Sequence, residues 1–174
     1  MGLNVRLLKG ESEYLNLILE GGAVFIGAVA VFAHLGWKGM HRTTREIDLA
    51  TIVEEEAVDR LVEEGKLKRF YARRKCVYYT PRGVKIDLFF HEVNGIPVSE
   101  IYSQSVFSKI GKSEVRIPRL EHLLVMRYRF GRAQDREDIE ILLRRFHNKI
   151  DWEFLNKGYP NESRGLKALI RILH

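Results

Sequence analysis

Two short segments of this chain, Glu46-Ile47-Asp48-Leu49 and Lys85-Ile86-Asp87-Leu88-Phe89-Phe90, alternate apolar residues with charged ones. A period of two is the signature of a strand, in which residues i and i+2 share a face about 6.5 to 7 Å apart and neighbouring strands lie about 4.8 Å apart. Adjacent strands would therefore gather Glu46, Asp48 and Asp87 on one face. The opposite faces, Ile47 and Leu49 on one segment and Ile86, Leu88 and Phe90 on the other, are apolar and suited to a core. Three acids clustered above a buried layer repel one another unless cations neutralise them. The spacing thus predicts a metal-binding acidic triad on neighbouring strands.

The 174 residues suffice for one well-buried core. No apolar run approaches the length of a membrane span and the start is not signal-like, which predicts a soluble, cytoplasmic protein with no membrane partner. The single cysteine, Cys76, cannot form an internal disulfide, and six scattered histidines lack zinc-ligand spacing. Redox and zinc chemistry are disfavoured. Cys76 reads as a packed strand thiol and His34 as a helix-packing histidine.

The formal charge of +6 is unevenly spread. Residues 54 to 64 hold Glu54, Glu55, Glu56, Asp59, Glu63 and Glu64 against Arg60 alone. Residues 66 to 85 hold Lys66, Lys68, Arg69, Arg73, Arg74, Lys75, Arg82 and Lys85 without an acid, interleaved with Phe70, Tyr71, Tyr78 and Tyr79. Cations with aromatics suit a nucleic-acid surface, where charge holds the backbone and rings stack on bases, and Arg73, Arg74 and Lys75 are its candidate contacts. The plain alternative is a solvated hairpin whose aromatics face inward, its charge consumed by the acidic helix beside it.

Periodicity and punctuation give the order of elements. The sequence predicts a helix from Glu11 to Glu20, a strand at Ala23 to Ile26, and a turn at Gly27 into a helix that ends near Leu35 before Gly36. A basic loop with Arg42, Thr43 and Thr44 leads into the strand at 46 to 53, and an acidic helix at 54 to 65 follows. Strands at 66 to 71 and 75 to 80 precede the Pro81-Arg82-Gly83 turn and the Asp87 strand. Past Phe90 the pattern fades until the strand Val115-Arg116-Ile117. Pro118 is expected to open a helix reaching Phe130, followed by helices at 135 to 146, 151 to 157 and 163 to 173. The expected fold is mixed α/β: a mixed-sheet core over residues 1 to 117, with a helical part over 118 to 174 packed on it as one unit.

These residues together resemble the nucleotidyltransferase superfamily with the polymerase-β-like core, most closely its small type IV toxin-like and antitoxin-like branches. The resemblance covers residues 23 to 146. It rests on Ile26-Gly27-Ala28-Val29-Ala30, on Arg42-Thr43-Thr44-Arg45-Glu46-Ile47-Asp48-Leu49, on Ile86-Asp87-Leu88, and on Arg127, Arg132, Asp135 and Asp138 in the C-terminal helices. Ala28 stands where the family usually has Ser or Gly, Glu46 where Asp is common, and Arg127 where Lys is common.

The resemblance implies a metal-dependent enzyme that moves a nucleoside monophosphate from an NTP to a hydroxyl of RNA or protein. Glu46, Asp48 and Asp87 would be both catalytic and metal-holding, with Mg2+ or Mn2+ as cofactor. Gly27, Ala28, Arg42, Thr43, Arg127 and Arg132 would contact the nucleotide, and a toxin or antitoxin partner is implied. The chemistry stands without the family: phosphoryl transfer uses paired metal ions held by hard oxygen donors, a helix start offers N–H groups to phosphate, and guanidinium binds phosphate in a fork. The alternatives are a catalytically degenerate nucleotide-binding or antitoxin-like module, and a nucleic-acid-binding protein without chemistry. At residue level, Glu46 and Asp48 read alternatively as solvated strand residues, Gly27 as a tight turn, and Arg132 with Asp135 as a salt bridge or helix cap.

Overall fold

A computed structural model describes residues 2–38, 40–73 and 75–174, and the chain falls into two compact units, Met1–Pro118 and Arg119–His174. The first unit is a mixed α/β domain. Its main sheet comprises β1 (Ala23–Ile26), β2 (Glu46–Thr51), β3 (Lys68–Ala72), β4 (Lys75–Tyr79), β5 (Lys85–Phe89), β8 (Val106–Ile110) and β9 (Ser113–Ile117), while β6 (Glu92–Val93) and β7 (Ile96–Pro97) form a separate short hairpin. The main strands lie side by side in the order β3-β4-β5-β2-β1-β9-β8. β2 runs parallel to β5 and β1 parallel to β9, while the remaining pairs are antiparallel. The helices of this unit are α1 (Val5–Ile18), α2 (Gly27–His34), α3 (Glu55–Glu63) and α4 (Val98–Ser103).

The alternation in β2 and β5 sorts residues as the pleat requires. Ile47, Leu49 and Ile86 are buried, as are Phe25, Phe32 and Ile101, whereas Glu46, Asp48 and Asp87 remain half-buried. The central strand β1 is apolar throughout and buried at every position, as expected for a strand covered on both faces.

Several boundaries differ from the sequence expectation, each for a local reason. Helix α1 starts at Val5 because Asn4 caps it, its side-chain oxygen accepting from the Leu7 N–H at 2.8 Å. The β6–β7 hairpin turns at Asn94 and Gly95, both at positive φ, which is the Asn-Gly pairing that two-residue hairpins favour. Strand β8 has no period-two signature because it is an edge strand with Val106 and Phe107 exposed, so no apolar face marks it. Pro118 does not open a helix. It lies outside the helix that follows, whose first residue is Leu120 after the cap residue Arg119, and its carbonyl sits 2.9 Å from His34 Nε2.

The second unit is helical: α5 (Leu120–Phe130), α6 (Ala133–Phe146), a single 3₁₀ turn at His147–Lys149, α7 (Trp152–Gly158) and α8 (Pro160–Leu173). Gly131 ends α5 in the left-handed conformation, and Pro160 occupies the first turn of α8, where its missing N–H costs nothing. Leu124, Val125, Leu142, Leu143, Leu155 and Leu166 are fully buried.

Candidate active site

Register decides what the alternation builds. β2 and β5 pair so that Asp48 stands directly beside Asp87, and Glu46 beside Lys85. The three acids then offer carboxylate oxygens that all lie within 4.8 Å of one another. The donor set is hard oxygen throughout, half-buried, and free of thiol or imidazole, which fits Mg2+ or Mn2+ better than zinc.

Gly27 completes the cluster from the neighbouring strand. Ile26 at the end of β1 pairs with Asp48, and Gly27 opens α2 with a φ of +65°. A side chain there would be strained, and its Cβ would collide with the Asp48 carboxylate. The glycine is thus required twice, by its own backbone and by the acid it lets approach. Ala28 follows it, buried in the first turn of α2.

Lys85 is the member of this site that sequence reasoning missed. In sequence it adjoins the basic run, but on β5 it lies two residues before Asp87 and so shares the carboxylate face. Its ammonium is 2.5 Å from Glu46 Oε2 and 3.2 Å from the Asp87 carboxylate. Partial burial pulls its pKa down, yet the hydrogen bonds to Glu46 and Asp87 outweigh this and hold it above the ordinary lysine value. The signal is present in the spacing: a lysine at i−2 from an acid on a strand points to the acid's own face.

The remaining predicted residues are dispersed. Thr43 is exposed in the loop before β2, and the Arg42 guanidinium lies 5.6 Å from the centre of the Phe32 ring. The Thr44 carbonyl accepts from the Leu3 N–H, and the Thr44 hydroxyl donates to the Glu46 carbonyl at 3.0 Å, which anchors the start of β2. His34 Nε2 must donate to the Pro118 carbonyl, which only accepts, so this histidine serves packing.

In the second unit Arg127 is buried, with Nη1 2.7 Å from Asp135 and Nη2 3.3 Å from Asp138. Arg132 meets the same Asp135 through Nε at 2.7 Å, and its backbone N–H donates to that carboxylate at the start of α6. Asp135 is itself fully buried. Burial alone would raise its pKa, but Arg132 and Arg127 dominate and hold it below the ordinary aspartate range.

The basic hairpin is divided. Arg69 pairs with Asp59 of the acidic helix and Lys66 with Glu64, so part of its charge is consumed internally. Arg73, at positive φ in the β3–β4 turn, and Lys75 are exposed; Arg74 lies outside the described residues. Phe70 and Tyr71 are exposed on the edge strand β3, with Phe70 edge-to-face on Tyr79 at 5.5 Å. Tyr78 is half-buried, and burial together with the hydrogen bond its hydroxyl donates to the Cys76 sulfur pushes its pKa up to about 12. No helix among the described residues is long and apolar enough to cross a membrane.

Residues 15–158 match the family described as nucleotidyl transferase of unknown function (DUF2204). Among solved structures, the chain is similar to an antigenic nucleotidyltransferase-like protein from Paracoccidioides brasiliensis, with a TM-score of 0.63 and 16% identity over 97% of this chain and 95% of that one. It is also similar to the antibiotic-resistance factor ANT(2'')-Ia, with a TM-score of 0.57 and 13% identity over 93% and 91% of the two chains. At such identities the likeness is one of fold. A search of curated protein sequences gives no match.

Proposed function

The chain belongs to the nucleotidyltransferase superfamily, and from that premise we propose that it transfers a nucleoside monophosphate from an NTP to a hydroxyl of RNA or protein. The observation that carries this reading is the convergence of Glu46, Asp48 and Asp87 within 4.8 Å beside the Gly27 turn. In the reaction the acceptor oxygen bonds to the α-phosphorus, the bond to the β-phosphate breaks, and pyrophosphate leaves. A divalent ion, Mg2+ or Mn2+, on the three carboxylates would neutralise the triphosphate and make the acceptor hydroxyl more acidic.

The protein's own parts are the carboxylates, which would hold the cation and one of which takes the acceptor's proton, and the N-terminus of α2. There the backbone N–H groups near Gly27 and Ala28 offer donors to phosphate. Thr43 and Arg42 stand in the loop that leads into β2, and Arg132, whose side chain is 59% exposed, is the more accessible of the two C-terminal arginines. Arg127 serves this reading as an organiser of the α5–α6 hairpin. The exposed Arg73 and Lys75 support RNA as the acceptor. The site would work in the cytoplasm, where NTPs are abundant.

One observation favours a second reading, a catalytically degenerate nucleotide-binding or antitoxin-like partner-binding module: the Lys85 ammonium already sits on two of the three acids. Incubation with each α-labelled NTP, Mg2+ or Mn2+, and total RNA or a protein extract separates the two. A labelled macromolecule is the expected product, and Asp48→Ala should reduce its formation at least about a hundredfold, the scale on which key electrostatic groups act. Binding of NTP without any labelled product would decide for the module.

A further inference from the structure

Lys85 is placed where a metal would be expected to act. It reaches the carboxylate face from β5, in register with Glu46 and two residues from Asp87, and its ammonium touches both at 2.5 and 3.2 Å. A divalent ion that uses oxygens of Glu46 and Asp87 must therefore displace this ammonium or share those oxygens with it. Sharing places two positive charges within a few ångströms, which is unfavourable even in a partly solvated site. One ammonium against three carboxylates nevertheless leaves the cluster net negative, so it still attracts cations. The lysine can yield, since its side chain is 34% exposed on a flexible four-carbon stem.

We propose that Lys85 is the resident cation of the cluster, standing in for a metal on Glu46 and Asp87 while no nucleotide is bound and moving to the triphosphate when metal and NTP arrive together. The inference rests on reading Glu46, Asp48 and Asp87 as the metal site. Its consequence is coupled loading. Metal alone competes with the ammonium and binds weakly; an incoming triphosphate gives the ammonium a new anionic partner, so metal and nucleotide strengthen each other. Lys85 is a positioning residue in this account, and it makes the metal site dependent on substrate.

The test is Mn2+ binding to the full chain, followed by electron paramagnetic resonance of free Mn2+, and by melting temperature with and without α,β-methylene NTP analogues. Wild type should bind Mn2+ weakly alone and show a melting shift with metal and analogue together that exceeds the sum of the separate shifts. Lys85→Gln should bind Mn2+ alone about tenfold more tightly, with most of that synergy gone. Lys85→Arg, which keeps the charge, should retain weak binding to metal alone.

Mn2+ affinity in Lys85→Gln equal to or below that of wild type would overturn the proposal, and so would tight metal-only binding by the arginine variant. In that event loss of Mn2+ binding in Glu46→Gln leaves the metal-site reading standing. Absence of Mn2+ binding in every protein, with analogue present, overturns the metal-site reading and this inference with it. Lys85→Met gives the same readout should the glutamine variant not fold, and failure of both to fold overturns the proposal by making Lys85 a structural requirement.

Discussion

The molecule contains two clusters of charged side chains built from similar parts, and they balance their charges in opposite ways. In the first unit Glu46, Asp48 and Asp87 face one another with Lys85 between two of them, so anions outnumber the cation and the group is half-buried. In the second unit Asp135 and Asp138, both fully buried, meet Arg127 and Arg132, so charge is matched. A buried network must be matched, because an uncompensated charge away from water is costly. An accessible one can keep a surplus of negative charge, and that surplus attracts a further cation. Balance and burial together, rather than the presence of charge, separate architecture from a candidate site.

The sharpest way to break this comparison is to remove one acid from each cluster. Asp135→Asn removes the closer of the two carboxylates that neutralise the buried Arg127, leaving Asp138 alone, and should cost about 3 kcal/mol in urea unfolding, whereas Asp87→Asn removes one of several repelling carboxylates and should leave stability nearly unchanged while abolishing the melting shift with metal and NTP. The pH dependence has a definite sign. Asp135 has a folded pKa below its ordinary 3.8, so its contribution is present above about that value and is lost as pH falls through the lower folded value. Wild type should lose stability in this acid window more steeply than Asp135→Asn. Equal acid sensitivity, or an Asp87→Asn protein as damaged as Asp135→Asn, would refute the contrast.

A smaller effect probes how the unbalanced cluster is held. Gly27→Ala forces a side chain into a left-handed backbone conformation, costing about 1 to 2 kcal/mol, and drives its Cβ against the Asp48 carboxylate. The expected outcome is a modest fall in melting temperature with complete loss of the metal-dependent shift. A variant that keeps the shift would show that the glycine serves only the turn.

The strands of this site are legible in the sequence because alternation is a direct consequence of the pleat, and β2 and β5 carry it on both faces. What the sequence does not disclose is the pairing register. The spacing already puts Lys85 on the face of Asp87, and the register that sets it beside Glu46 shows that it bridges the cluster rather than belonging to the basic run it adjoins in sequence. Arg132 with Asp135 is legible as a salt bridge or cap, but the burial of that aspartate and its bond to Arg127 are not, because both depend on how α5 and α6 pack. The β6–β7 hairpin has a readable signal in Asn94-Gly95 that the weak apolar pattern around it obscures. Strand β8 has none, since an exposed edge strand lacks the apolar face that periodicity detects.

The smallest expected effect tests whether the same rule of surplus charge holds with the opposite sign. On the β3–β4 hairpin, Arg69 is matched by Asp59, while Arg73 and Lys75 are exposed at the turn. If surplus marks function, Arg73→Glu with Lys75→Glu should weaken RNA binding about equally across sequences and reduce its salt dependence, because each phosphate no longer neutralised removes roughly 0.7 to 0.9 from the log–log slope. Arg69→Gln should leave that slope alone, since its charge is already spent on Asp59. Tyr71, the most exposed aromatic of the hairpin at 76%, adds a second measure: Tyr71→Ala should cost about 1 to 3 kcal/mol of affinity if a base stacks on it. These are changes in a weak, salt-sensitive interaction, so titrations across a range of ionic strength are needed to resolve them. RNA affinity indifferent to the double reversal would confine the rule to the carboxylate cluster and turn the search for the acceptor toward a protein hydroxyl.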